Sequence, residues 1–207
     1  MKIALVGAGA FAREAAEVAS EKGYQIQGVF ADFEPNIEYN WLGKLELIDT
    51  FLDKLDGLFF AISAVDRKSI NIRGLLIQKM GRYENKFVNL ISSKAIVSQK
   101  VRFGKNVYVA PGAVINTGAQ LGDFVLVNNN TTIGHDVELG NNCIISGNGF
   151  IGGNSRIGKN SLVGPGANIL QNLQIGDGVI VSVGATVLKS LADKKRVFPT
   201  FNKIIQS

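Results

Sequence analysis

The chain has 207 residues, 46% of them hydrophobic and 19% charged, with 24 glycines and a net charge of +5; this is a globular composition rich in tight turns and excludes a disordered chain. Its one cysteine, Cys143, excludes an internal disulfide and a cysteine-based zinc site, no metal is expected, and no apolar run approaches the roughly 18 residues of a membrane span. The basic residues are scattered and not interleaved with aromatics, so no nucleic-acid partner is expected, and Arg13 and Glu14 come too early for a secretory segment, so the expected location is cytoplasmic.

In chain order, residues 2–6 read as a strand, 11–22 as a helix, 25–31 as a second strand, 47–54 as helical, 58–62 as a third strand and 66–80 as helical. Alternation of this kind predicts a small doubly wound, Rossmann-like α/β unit over residues 1–90. The turn Gly7-Ala8-Gly9-Ala10-Phe11-Ala12 matches G-x-G-x-x-[GA] between a strand and a helix. Glycine there lets the backbone approach a phosphate at the helix N-terminus, and Asp32, ending the second strand, is placed to meet a ribose hydroxyl. The segment ahead of Ile91 is too short for a dinucleotide fold plus a substrate domain. The predicted ligand is therefore one nucleotide half, as in a nucleotide-linked sugar. The alternative is that the glycines serve only a tight turn.

From Ile91 a step of six meets a large apolar side chain at every position to Val187: Ile91, Val97, Phe103, Val109, Ile115, Leu121 and so on without a gap. Gly commonly follows, as at Gly104, Gly122, Gly134 and Gly152, and the fifth position is small or branched, as at Ala95, Val107 and Thr131. A helix requires a period of 3.6 and an isolated strand a period of 2. A period of six fits a short strand and a turn, and three such hexads close one triangular coil. Successive coils stack at the strand spacing of roughly 4.8 Å, and Gly and Asn take the unusual backbone angles of the corners. Residues 91–192 are thus predicted to form a parallel β-helix, with 193–207 as a tail. Outer residues such as Tyr108, Phe124, Leu126, Phe150 and Leu162 are expected to pack against copies of the chain in a homotrimer.

His135 is the only histidine. It stands at the third position of its hexad, hence at a corner, with Asp136 beside it to orient the ring. The polar run Asn128-Asn129-Asn130-Thr131-Thr132 precedes it. Three hexads on, one full coil, is Gly153, which leaves space above the ring and a backbone N–H to hold an oxyanion. A base, an oxyanion donor and positioned substrates suffice for acyl transfer by direct attack of an amine or hydroxyl. Cys143, at an inward fifth position, reads as packing.

GAGAFARE at the start, Ala61-Ile62-Ser63, NLISSKAIVS at residues 89–98 and Ile133-Gly134-His135-Asp136 together resemble the NeuD/PglD-type acetyltransferases of bacterial surface sugars, a family of sialic acid O-acetyltransferases and UDP-aminosugar N-acetyltransferases. The resemblance implies a left-handed β-helix, a hand that crossover rules do not give. It also implies a homotrimer with acetyl-CoA between neighbouring helices, and a nucleotide sugar held by the N-terminal domain, with Gly7, Gly9, Ala10, Phe11, Asp32 and Ser63 at the nucleotide sugar. The family's base falls on His135, its acidic partner on Asp136, and its thioester-contacting amide on Gly153. The implied reaction is N-acetylation of a nucleotide-linked, UDP-type deoxy-aminosugar; O-acetylation of a sialic-acid-like sugar and a non-catalytic sugar-nucleotide-binding protein are the alternatives. Two departures stand out: the second histidine many members carry nine positions after the base is Ile144 here, and the C-terminal G-x-P-A-K is replaced by residues 197–203, VFPTFNK.

Overall fold

The structure, a computed structural model, describes residues 1–199. Thr200, Phe201, Asn202 and Lys203 of the altered tail lie outside the described residues.

The N-terminal unit is a parallel sheet flanked by helices. It comprises β1 (Lys2–Val6), α1 (Ala10–Glu21), β2 (Gln25–Phe30), β3 (Trp41–Gly43), a 3-10 stretch (Leu45–Lys54), β4 (Gly57–Phe60), α2 (Arg67–Lys79) and a second 3-10 turn (Gly81–Lys86). The sheet order is β3-β2-β1-β4, all parallel. Neither the Gly81–Lys86 turn nor β3 was expected. β3 is very short and contains Gly43, so no alternation marks it; it exists because the sheet edge at Val29 and Phe30 pairs with it. Central β1 is apolar and buried along Ile3–Val6, as a strand covered on both faces must be.

Beyond it lie seventeen two-residue strands, from β5 (Leu90–Ile91) to β21 (Thr186–Val187), spaced by six. The large apolar residue of every hexad is the second residue of its strand. Three parallel sheets result, and the chain winds as a left-handed β-helix. Inside, the large residues stack with the small fifth-position ones in one core, Cys143 among them. Between strands the backbone turns through the left-handed region once per hexad, at Asn106, Phe124, Asn130, Asp136, Asn142 and onward. Asn, Asp and Gly tolerate this region. Phe124 does not, and its ring is held by Phe60 and Phe87 at centroid distances of 5.8 and 5.0 Å.

The first residue of each strand points outward and differs by face. Face one carries Leu90, Tyr108, Leu126, Ile144, Leu162 and Ile180, all buried against the N-terminal unit. Face two carries Ile96, Val114, Thr132, Phe150, Asn168 and Thr186. Face three is polar: Arg102, Gln120, Glu138, Arg156 and Gln174. The expected role of Tyr108, Leu126, Leu162 and Phe124 in contacts between copies is thereby corrected. The chain's own α/β unit covers all four, with Phe11 edge-on to Tyr108 at 4.9 Å; Phe150 alone of that set is exposed, at 43%. Each large side chain so covered contributes about 1.5–3 kcal/mol, so a bare face one is not available to another copy. The strand stack also reaches further than residue 192: β22 (Arg196–Val197) pairs with β20 (Ile180–Val181).

Candidate active site

His135 lies in the turn from β12 (Thr132–Ile133) on face two to β13 (Glu138–Leu139) on face three, the vertex opposite the covered face one. Asp136 takes the left-handed corner position (φ 56°), with its N–H donating to Thr117 O at 2.9 Å. That turn brings Asp136 Oδ2 to 3.0 Å from His135 Nδ1. A carboxylate only accepts, so Nδ1–H is the donor in this contact, and the neutral ring so oriented has its lone pair on Nε2. Both side chains are more than half exposed, 56% and 59%. One coil on, a Cβ at Gly153 would stand 2.5 Å from Nε2 and 2.8 Å from Cδ2 and Cε1. Glycine at 153 is what allows the imidazole to lie there. The Gly153 N–H donates to no acceptor among the described residues. By contrast, at the vertex between faces three and one, the matching N–H groups of Lys105, Asp123, Lys159 and Asp177 are each capped by a side chain of the next coil, Asp123, Asn141, Asp177 and Asp193.

One further position belongs to this vertex. One coil back from Asp136, the carboxylate fills the place a Cβ of Gly118 would take; the one-coil step applied backward as well as forward would have found it. The polar run 128–132, in contrast, does not surround His135. It forms the corner between faces one and two, where Thr131 turns inward to donate to Ser146 O at 3.1 Å.

In the N-terminal unit, Gly7, Ala8, Gly9, Phe30, Ala31, Asp32, Phe33, Leu45, Ile62 and Leu76 line a cavity of about 230 Å³. Gly7 has φ +112°, and a Cβ there would strike Ala61 O and Ile62, so the turn is pressed against the end of β4. Gly9 caps α1 without a side-chain acceptor and lines this cavity, which therefore adjoins a helix N-terminus, where unpaired N–H groups favour an anion. Three of the six expected nucleotide residues, Gly7, Gly9 and Asp32, therefore converge. Ala10 opens α1 but does not line the cavity, and Ser63 follows the lining residue Ile62 without joining it. Phe11 is turned away, its ring in the core against Phe59 and Tyr108; only its backbone remains on the side of the turn. Leu45 and Leu76 come from elements distant in sequence and carried no local signal.

Family models match on both sides of the junction: the PglD N-terminal domain over residues 2–71, and the bacterial transferase hexapeptide (six repeats) over 118–153 and 154–189. Together they span more than half of the chain. The chain is a PglD-type hexapeptide acyltransferase. It is similar in structure to the acetyltransferase domain of PglB from Neisseria gonorrhoeae FA1090 in complex with acetyl coenzyme A, at 28% identity and a TM-score of 0.85 over 94% of each chain. It is also similar to PerB from Caulobacter crescentus in complex with CoA and GDP-perosamine, at 26% identity and a TM-score of 0.84 over 93% of this chain and 91% of that one. WeeI from Acinetobacter baumannii AYE shares the fold, with a TM-score of 0.79 at 20% identity over 95% and 96% of the chains. No curated protein matches by sequence.

In this acyltransferase Ile144, where a second histidine was expected by resemblance, is buried beneath the α/β unit. A histidine there would face the domain junction of its own chain and not the His135 vertex. Cys143 is buried, donates to Gly158 O at 3.1 Å, and burial pushes its thiol up to about 12, which removes the thiolate a nucleophile needs. Arg73, on α2, is also fully buried, and desolvation pulls its guanidinium down to about 9. Among the described residues no group of three His, Cys, Asp or Glu side chains stands close enough to hold a metal, and no helix is long and apolar enough to cross a membrane.

Proposed function

We propose that this chain transfers an acetyl group from acetyl-CoA to the amino group of a nucleotide-linked deoxy-aminosugar, with His135 as general base, in the cytoplasmic synthesis of a surface glycan. The observation that carries the reading is the vertex itself: an imidazole oriented by a carboxylate at 3.0 Å, with its free nitrogen against a glycine backbone. As the sugar amine attacks the thioester carbonyl, Nε2 takes the amine proton and the Gly153 N–H donates to the developing oxyanion; on collapse the C–S bond breaks and the imidazolium returns that proton to the sulfur, so the coenzyme leaves as its thiol. No nucleophile on the enzyme is needed, consistent with the inert Cys143. The nucleotide belongs in the Gly7–Asp32 cavity, and a UDP-linked sugar is the first expectation. The PerB complex with GDP-perosamine makes GDP-linked sugars the second.

Topology also supports assembly. The nucleotide cavity belongs to a unit docked on face one, whereas His135 stands on the opposite vertex of the same prism. Sugar and base meet only if they come from different copies. Face two supplies the contact, since Ile96 is 70% exposed, Phe150 lies on it, and Leu170, Val183 and Leu188 edge it. A trimer, with acetyl-CoA between neighbouring prisms, closes such an arrangement with one kind of contact.

The test is thiol release from acetyl-CoA over a panel of UDP-, GDP- and dTDP-linked 4-aminosugars and free nonulosonic acids. Turnover of a nucleotide-linked aminosugar is expected. Turnover of free sialic acids alone would replace this reading with O-acetylation, and light scattering that shows a monomer at micromolar concentration would count against the shared site.

A further inference from the structure

Arg73 is the largest fully buried side chain among the described residues, and neither the fold nor the chemistry above accounts for it. Its Nε donates to Ile62 O at 2.6 Å, and Ile62 is a wall of the nucleotide cavity, pressed against Gly7. Its Nη1 donates to Asn142 Oδ1. Asn142 is the left-handed corner residue of the coil that carries His135 (φ 59°), and it turns its amide to Ile70 O at 3.4 Å and Asn160 Oδ1 at 2.8 Å. The guanidinium lies 5.5 Å from the centroid of Phe60, the last residue of β4. Its Nη2 has no acceptor among the described residues, and no carboxylate faces it.

A buried cation with one donor idle and no counter-ion is a poor device for stability. Replacing buried ions by apolar groups of like volume is often neutral or stabilising, and partly satisfied networks carry a penalty. What a guanidinium does that methionine cannot is to hold two acceptors at a fixed angle through its planar fork. Here the acceptors are a cavity wall on one side and the catalytic coil on the other. The rest of the junction is tied less directly to the cavity. Asn106 holds Phe60 by both N–H and C=O, at 2.6 and 3.2 Å, and Arg67 reaches Gly178 O, Lys194 O and Lys195 O. Neither bonds a cavity-lining residue on one side and the His135 coil on the other.

We infer that Arg73 is a positioning residue that sets the β4–α2 wall of the nucleotide cavity against the coil bearing His135, and so governs how the nucleotide sugar is held; this rests on the cavity being the nucleotide site. The experiment compares the full-length protein with Arg73→Met, Arg73→Lys and Asn142→Asp, measuring KM for each substrate, kcat and Tm. Arg73→Met is expected to raise KM for the nucleotide sugar about tenfold or more, while KM for acetyl-CoA stays within about twofold and Tm is unchanged or higher. Arg73→Lys, which keeps charge and stem but loses the fork, gives the same split and serves where the methionine variant does not fold. Asn142→Asp keeps the acceptor for Nη1 and the left-handed corner but gives up the amide's donations to Ile70 O and Asn160 Oδ1, so it is expected to lower Tm while KM for the nucleotide sugar stays near wild type. An unchanged KM in both Arg73 variants, or a loss shared by both substrates with a lowered Tm, overturns the inference. Calorimetry of the wild-type protein with UDP and GDP separates the two readings: binding of neither overturns the nucleotide site and the inference with it, whereas binding with an unchanged KM in the variants overturns the inference alone.

Discussion

Asp136 and Asn142 stand one hexad apart at the same position of successive repeats, with the same left-handed backbone, φ 56° and 59°. One is more than half exposed and orients a histidine; the other is buried and receives Arg73. The hexad fixes where each side chain leaves the coil, and the face it leaves from decides what it does. The vertex away from the α/β unit keeps a free backbone N–H and an imidazole over glycine. The vertex beside that unit is sealed by side-chain caps and by the docked domain. One repeat therefore yields the proposed catalytic corner and a joint, and substitution at the two should separate activity from stability.

The largest expected effect is at the proposed catalytic vertex. His135→Ala should lower kcat by about 10²–10⁴, as general-base loss does, with Tm unchanged because the side chain is exposed. Gly153→Ala should approach the same loss with the histidine still present, since a Cβ 2.5 Å from Nε2 evicts the ring; normal kcat in either variant would remove His135 from the mechanism.

At the joint the expectation reverses. Leu126, fully buried on face one, should cost about 2–5 kcal/mol of stability as Leu126→Ala, read by denaturant unfolding, with the oligomeric state unaltered. If Leu126→Ala instead dissociated the assembly at unchanged stability, face one would be a contact between copies.

A smaller loss, on the order of tenfold in kcat, is expected from Asp136→Asn. It keeps the corner conformation and removes only the charge that orients the ring. A loss as large as that of His135→Ala would mean that Asp136 does more than orient it.

The smallest effect concerns the seam where α1 meets the first coil. Glu21 accepts from Ser92 Oγ at 2.7 Å and Ser93 N at 3.1 Å, and these hydrogen bonds, led by that of Ser92, hold its carboxyl below the ordinary glutamate value against a smaller opposing burial effect. A carboxyl lowered on folding adds stability above its unfolded pKa, and that stability is lost as the pH falls through the folded value. Glu21→Gln should therefore lower Tm by a few degrees near neutral pH and flatten the acid limb below about pH 4.5. Parallel pH profiles for wild type and variant would refute the assignment.

Periodicity is local, so it is legible. Every inward position from Ile91 to Val187 could be read by counting, because each apolar residue answers to neighbours one coil away that obey the same count. For the same reason the step from His135 to Gly153 was visible, as were the glycine turn and Asp32, which belong to one strand-turn-helix unit. The covering of face one was not. Leu90, Tyr108, Leu126, Ile144, Leu162 and Ile180 announce an apolar stripe, one side chain per coil, but a stripe does not name its partner; another copy and the chain's own α/β unit satisfy it equally. Docking by Phe11, Phe59 and Arg73 decided it. Phe11 illustrates the cost of reading locally: its place in the glycine motif pointed to a ligand, and its ring went to the junction. Arg73 carried no sequence signal at all, since a guanidinium on a helix is ordinarily solvated and only the packing of α2 against Asn142 removed it from water.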